Sequence, residues 1–400
     1  MRMGEVPFGR GEITMNGSND YAIKRVGVLG AGNGGITFAA HFLDTPGVEW
    51  VSLYNRSPAR REPICARGNR IFSRGEIGGP GGKEMKLALV TGDPVEASRD
   101  ADLIIMAGIQ QAIDPIGRAL GSHVRPDQVI MIGSGTLGST WEMRASLRAG
   151  GCKDLPVVGE FNILPYATKL DDGVEGRVWV RGVKKALDAA FVPEEAVDPA
   201  FRAKLLEIYD CLNIFPDVLY TGLSGANMVF HPVVVMRNLH KIEAGRPWRL
   251  YEEGVTPEVS VLFDLVDKER MAIARACGIE MVTMLKFLST AYPPFDGAEV
   301  TNIYEWFRSR MRSKEGQVHL EAVPGPLSVN VRLIEEDVPY GMVPLEALGN
   351  IVGVATPTIS AFIDEAVELM GVDYRKTGRS LEKMGDEMRA SLKRIGGKDD

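Results

Sequence analysis

The chain has 400 residues, a formal net charge of −7 and 45% hydrophobic residues. That length calls for more than one domain, the composition is that of an ordinary globular protein, and the acidic balance argues against a general nucleic-acid binder. Cys65, Cys152, Cys211 and Cys277 are scattered with no C-x-x-C pair, so neither a metal site nor a disulfide framework is expected, and a reducing cytoplasm is the simplest location. Residues 1–20 hold no apolar core followed by a cleavage site and read as a flexible leader. No uninterrupted apolar run reaches the length of a membrane span, so no membrane contact is expected.

The first element is carried by residues 25–40, RVGVLGAGNGGITFAA. A β-branched run leads into Gly30-Ala31-Gly32-Asn33-Gly34-Gly35 and then into an Ala-rich apolar run, which reads as strand, glycine turn, helix. Gly30, Gly32 and Gly35 fall on the spacing G-x-G-x-x-G. Gly30 makes the tight turn, Gly32 lets a pyrophosphate approach the backbone, and Gly35 lets the helix pack on the strand. The free N–H groups at the helix start, around Asn33 and Gly34, then face the phosphates, so a dinucleotide cofactor is expected.

Residues 49–54 (EWVSLY) read as the second strand. In NAD-binding units of this kind an acidic residue about twenty positions beyond the glycines takes the ribose 2′-hydroxyl. Here that place carries Asn55-Arg56-Ser57, followed by Arg60 and Arg61. A guanidinium and a hydroxyl suit a 2′-phosphate, which a carboxylate would repel. NADP(H) is therefore expected over NAD(H), with Arg56 the main phosphate ligand and Ser57 and Arg60 supporting it. Residues 67–82 read as a loop or hairpin and 86–90 as a strand. Residues 102–106 (DLIIM) form a fully apolar strand, as buried parallel strands do. The carboxyl ends of such strands line the ligand crevice, which puts Gln110 and Gln111 near the nicotinamide ribose. Residues 128–132 give the next strand, a helix runs through Leu147, and 156–160 continue the sheet. Strand and helix alternate throughout, so the fold class is α/β, a doubly wound parallel sheet.

From about Pro199 the pattern turns helical. Residues 225–242 form an apolar run with little alternation, read as a buried helix interrupted near Pro232. Thr256-Pro257-Glu258 starts a helix with Pro at its first position, running to about Cys277. Shorter helices are expected over 280–289, 299–309 and 344–352, and Thr356-Pro357-Thr358 caps another to Met370. Residues 378–397 are charged and read as an exposed helix with a frayed end. The expected division is a leader (1–20), a Rossmann domain (21–190), a mainly helical domain (199–375) and a charged tail helix (376–400), with the boundary in the acidic linker around 184–198.

The sheet half supplies a hydride carrier, so the helical half must hold the substrate and any acid or base. Of the five histidines, His41 lies on the first helix and His123 in a loop, whereas His231 lies in an apolar stretch four residues after Asn227. Both can face the same side of one helix. A buried histidine of this kind is either catalytic or a satisfied core residue.

The glycine turn, residues 160–167 (EFNILPYA), 227–232 (NMVFHP) and 337–341 (DVPYG) together resemble the opine dehydrogenases, the octopine/nopaline and N-(1-carboxyethyl)norvaline dehydrogenase group. The resemblance runs from about Lys24 to Met370. It implies an N-terminal Rossmann domain and a C-terminal helical domain. It also implies an enzyme that joins the amino group of an amino acid or amine to a 2-oxo acid and reduces the imine with a nicotinamide cofactor. By motif, the catalytic histidine falls on His231 and its acidic partner on Asp337. The substrate-carboxylate arginine falls on Arg332, and a polar residue lining the pocket on Asn227. Asn55-Arg56 departs from the acidic residue of the NADH-using members.

These residue types suit the chemistry. The attacking amine must be neutral and the carbinolamine must lose water, so one imidazole can act as base and then as acid. Asp337 would fix its tautomer and stabilise the imidazolium, and an arginine matches a planar carboxylate through two parallel hydrogen bonds. The bland readings are that Asp337 caps a turn and that Arg332 pairs with Glu335 or Glu336. Two other functions stay open: an NADP-dependent 2-hydroxy-acid or polyol dehydrogenase on the same plan, and a non-catalytic NADP(H)-sensing protein. The expected partners are small molecules, with neither nucleic acid nor membrane, and a homodimer is compatible with the sequence.

Overall fold

The computed structural model describes residues 23–313 and 323–396, so the leader and His319 lie outside the described residues. The strands are β1 (Arg25–Leu29), β2 (Trp50–Tyr54), β3 (Arg70–Gly75), β4 (Gly79–Lys86), β5 (Leu89–Thr91), β6 (Leu103–Met106), β7 (Val129–Ile132), β8 (Val157–Phe161), β9 (Tyr166–Leu170), β10 (Arg177–Val183), β11 (Leu187–Val192) and β12 (Leu212–Phe215). Eight of them make one sheet in the order β12-β11-β8-β7-β6-β1-β2-β5. Its pairings are parallel except between β8 and β11. Every residue of β6 (LIIM) and β7 (VIMI) is buried, which is why these strands read as unbroken apolar runs rather than alternating ones. The α/β reading of the N-terminal half therefore holds, and the order reverses at β1, where ligand crevices of such sheets lie.

Two features were not legible in the sequence. Residues 67–82 do form a hairpin, but β3 and β4 join β9 and β10 in a second, four-stranded sheet packed against helix Asn33–Asp44. The first sheet also continues past the acidic linker. After helix Pro199–Ile208, β12 pairs in parallel with β11, and the helical half begins at Val218. A four-residue strand with mixed burial carries too weak a pattern to announce itself.

In the helical half, Thr256 caps helix Pro257–Ala276 by accepting from Val259 N–H, as the Thr-Pro-Glu signal implies. Helices Met284–Ala291, Ile303–Met311, Val343–Val352 and Pro357–Met370 match the remaining expectations within a few residues. Pro232 does not interrupt its helix. Asn227–Met236 runs through it, and the break falls at Arg237-Asn238, before the short helix Leu239–Glu243. Residues 218–236 are long and apolar enough by average hydropathy to cross a membrane, but polar residues interrupt the run, most of the stretch is buried, and its helices part at Gly225-Ala226. It is core.

The charged tail is not an exposed appendage. Helix Leu381–Gly396 packs on helix Ser139–Ala149 of the sheet half, with Met384, Met388 and Ser391 buried. Trp141 Nε1 donates to Ser391 Oγ at 3.2 Å, and Arg144 pairs with Glu387 at 2.9 Å. Its charges made the segment look solvated, while its buried side is made of methionine and serine, which carry little sequence signal. One continuous apolar cluster joins Leu137, Trp141, Ala190 and Val192 of the sheet half to the helical half and to Met384 and Met388.

Candidate active site

The glycine turn has the geometry its spacing implies. Gly30 has φ +132°, and a Cβ there would lie 2.8 Å from the carbonyl oxygen of Ala107, just beyond β6. A Cβ on Gly35 would lie 1.8 Å from the carbonyl oxygen of Gly30, so no side chain fits. Around Gly32, by contrast, a Cβ would meet nothing within 4 Å, and no side chain caps the helix that follows. The first turn, which starts at Asn33 and Gly34, holds no acidic residue. An uncapped helix start of this kind offers backbone donors and the positive end of a helix dipole to an anion.

At the end of β2, Asn55 Oδ1 accepts from Ser57 N–H at 2.9 Å, which shapes the turn. Arg56 is exposed and makes no ion pair among the described residues. Ser57 stands at the N-terminus of helix Pro58–Ala66, and its hydroxyl caps nothing. Arg60 departs from its expected place: its guanidinium turns to Glu175 at 3.4 Å. Arg61 braces the turn instead, donating to the carbonyl of Arg56 at 3.1 Å, with its guanidinium against Gly92. The sequence showed two adjacent arginines, and only the structure separates them, because neighbouring helical residues point about 100° apart.

Gln110 also differs from expectation. It is buried, its Nε2 donates to Ser134 O at 2.7 Å, and its Oε1 accepts from Ser139 Oγ and Arg379 Nη2, each at 2.8 Å. Both polar ends of its side chain are thus taken up by protein groups. Its backbone N–H donates to Glu336 Oε1 at 2.9 Å, and Gln111 Nε2 donates to Glu335 O at 2.8 Å. The turn after β6 is thus bonded to the segment that carries Asp337, and so the helical half meets the mouth of the sheet at this point.

His231 and Asp337 come together. His231 Nδ1 lies 2.8 Å from Asp337 Oδ2, with side-chain exposures of 17% and 9%. Close packing sets the pair. Residues 338–342 form a wide π-helical turn, with Met342 N–H bonded to Asp337 O. In that turn a Cβ on Gly341 would lie 2.7 Å from Cβ of Met228, so only glycine lets helix Asn227–Met236 approach this closely. Asn227 lies one turn before His231 on the same face and is exposed. Arg332 is 70% exposed and bonded to Glu336 Oε2 through Nε at 2.6 Å and Nη2 at 2.5 Å. The pairing with Glu336 is therefore real, and it leaves the rest of the guanidinium open.

Three further residues bear on this site. Tyr251 places its hydroxyl 3.1 Å from His231 Nε2. Burial, then the charge of Asp337, pushes its phenol well above the usual tyrosine value, so it stays protonated. Glu336, beside Asp337, accepts from Arg332 and from the Gln110 backbone N–H. Arg379, fully buried, bonds to Glu142, Thr136 Oγ1, Gln110 and the carbonyls of Leu137 and Tyr340. Behind the site, burial raises Glu160 to about 7 although it accepts from Thr140 and Thr221. Among the described residues no cluster of His, Cys, Asp or Glu could hold a metal ion.

Residues 214–370 match the family model of the alpha-helical domain of NAD/NADP octopine/nopaline dehydrogenases. An opine dehydrogenase from Arthrobacter sp. strain 1C is 32% identical over 366 residues, covering 90% of this chain and 95% of its own. The chain belongs to the opine dehydrogenase family. Octopine dehydrogenase solved with NADH and agmatine shares the fold at TM-score 0.68 and 20% identity, covering 94% of this chain and 98% of that one. Yersinopine dehydrogenase with NADP+ bound does so at TM-score 0.70 and 16% identity, with the same coverage. This family member is a nicotinamide-dependent oxidoreductase acting on a CH–NH group, by reductive condensation of an amino acid with a 2-oxo acid. The matched helical domain starts at β12, in keeping with a helical half that follows the last strand of the sheet.

Proposed function

We propose that His231, Asp337 and Arg332 carry this condensation in the cleft between the sheet half (23–217) and the helical half (218–375), with NADP(H) as the preferred cofactor. The observation that carries the reading is the 2.8 Å His231–Asp337 contact on a segment bonded to the turn after β6. With Asp337 accepting from Nδ1–H, the Nε2 lone pair is the base. It takes a proton from the incoming amine and returns it to the carbinolamine oxygen, which leaves as water. Arg332 holds a substrate carboxylate on its open edge, and Asn227 lines the pocket one helical turn away. The bound cofactor supplies hydride to the imine carbon. Arg56, Ser57 and the absence of a carboxylate at Asn55 support a 2′-phosphate, with Arg61 rather than Arg60 bracing the turn. Four free thiols support a reducing compartment.

The test is a matrix of 2-oxo acids against amino acids and amines, following NADPH loss and product mass. Turnover should need both substrates and give a product with a new C–N bond. Amine-independent oxidation of NADPH would point instead to a simple keto-acid reductase. His231→Ala should keep NADPH binding and lose about two to four decades of rate; a rate close to wild type would remove His231 from the mechanism.

A further inference from the structure

We propose that Tyr251 is a further catalytic residue, its hydroxyl sharing the reacting substrate oxygen with His231 Nε2. This rests on the condensation reading above. A neutral imidazole offers one hydrogen-bonding position per ring nitrogen. Nδ1 is committed to Asp337 at 2.8 Å, and Nε2 meets Tyr251 at 3.1 Å, so the ring is saturated by protein alone. The substrate oxygen that Nε2 serves must therefore enter beside the phenol. With the two atoms 3.1 Å apart, a third oxygen can sit within ordinary hydrogen-bond distance of both.

The phenol is built into place. Its ring stacks on Phe307 at 5.1 Å and 17°, and Phe307 packs edge-on to Phe230 and Trp306. The turn that carries it is tied on both sides. Leu250 N–H donates to Val323 O at 3.0 Å and Gly325 N–H to Trp248 O at 2.8 Å. Trp248 Nε1 donates to Pro326 O at 2.9 Å, Asn238 Nδ2 to Gly254 O at 3.0 Å, and Arg308 Nη2 to Glu252 O at 2.8 Å. Five anchors on one short turn fix a hydroxyl where charge develops, which is what transition-state stabilisation by a preorganised donor needs.

The role is donation of a hydrogen bond and not of a proton. In the addition step the amine lone pair bonds to the carbonyl carbon, and the carbonyl π pair moves onto oxygen. Nε2, having taken one proton from the incoming ammonium, passes it to that oxygen and then takes a second from the adduct nitrogen. In the dehydration step the C–O bond breaks with its pair on oxygen, which leaves as water with this second proton from Nε2, while the nitrogen lone pair forms C=N and leaves a protonated imine. Tyr251 keeps its proton throughout, consistent with a phenol held well above its usual value. Its hydrogen bond strengthens as oxygen gains charge.

The experiment uses the full chain and a substrate pair that the wild type turns over. Tyr251→Phe keeps the stacked ring and removes only the hydroxyl. Its NADPH affinity, by fluorescence titration, should be unchanged and the KM of the 2-oxo acid should move little, while kcat falls about 10- to 100-fold, less than for an unshared oxyanion donor. A kcat equal to or above wild type overturns the proposal, because the hydroxyl would then only plug the imidazole of the empty site. If Tyr251→Phe lacks the cooperative melt of the wild type, 3-fluorotyrosine at position 251 decides. This more acidic phenol is a stronger hydrogen-bond donor, so kcat at neutral pH should change while the KM of the 2-oxo acid moves little, and an unchanged kcat overturns the proposal. Wild type inactive on every substrate pair sinks the reaction itself, and Tyr251 with it; wild type active and Tyr251→Phe unaffected sinks Tyr251 alone.

Discussion

Replacing Arg379 by methionine tests whether the C-terminal segment is part of the fold. Arg379 is fully buried, and its Nε lies 2.7 Å from Glu142 Oε2, itself only 3% exposed. Methionine fills much of the same volume but leaves that carboxylate buried beside no cation, and breaking one side of such a pair costs roughly 3–5 kcal/mol. The hydrogen bonds to Thr136 Oγ1 at 2.7 Å and Gln110 Oε1 at 2.8 Å are lost with it. Taking ~4 kcal/mol and an unfolding entropy of about 2.1 cal/mol/K per residue over 400 residues, the melting temperature should fall by about 5 °C. Differential scanning calorimetry of the full chain measures this. The double variant Arg379→Met with Glu142→Gln should recover part of the loss, because the orphaned charge is gone. A fall below about 1 °C in the single variant would refute the reasoning and leave residues 376–396 as the solvated tail their composition suggests.

Glu160 makes stability depend on pH in a direction opposite to most carboxylates. Its folded value of about 7 lies above the unfolded 4.5, so the folded state binds more protons between them. The contribution is present below about 4.5 and is lost as pH rises through 7, by roughly 3 kcal/mol in all. Glu160→Gln should flatten the fall in melting temperature between pH 5 and 8, and equal slopes in the two proteins would count against the assignment. Asp188, raised to about 6 by burial, keeps a smaller slope of the same sign in that variant. Arg56→Asp should reverse the preference for NADPH over NADH in kcat/KM, by removing the cation and repelling a 2′-phosphate; an unchanged ratio would move cofactor choice elsewhere.

The parts legible in the sequence share one property: a local signal with a steric cause. The glycine turn could be placed because positions 30 and 35 tolerate no Cβ, and this is a constraint on residue type at fixed spacing. Helix starts at Thr256 and Thr356 followed from Pro at the next position. The C-terminal helix failed for the converse reason. Its buried face is short and built from Met384, Met388 and Ser391, and its anchor is a buried arginine, a residue type that composition assigns to water. The second sheet failed because β4, GPGGKEMK, has little apolar alternation and is held by pairing with β3 rather than by burial.

The candidate site shows the same division. His231 and Asp337 lie 106 residues apart, and no periodicity links them; motif resemblance alone paired them. Physically they meet because Gly341 lets Met228 come within a distance that any side chain would forbid, which seats the His231 helix on the Asp337 turn. Arg60 and Arg61 are a pair of like residues that only helix geometry can tell apart. Gln110 follows a strand end, and its side chain is held by Ser134, Ser139 and Arg379. Tyr251 had no motif because its place depends on five tertiary anchors. Residues whose role is set by what packs on them are silent in sequence, whereas residues whose role is set by what they cannot accommodate are not. The proposed reacting groups of this site belong mostly to the first kind and the glycine turn to the second, so the cofactor class was readable well before the geometry proposed to act on the substrate.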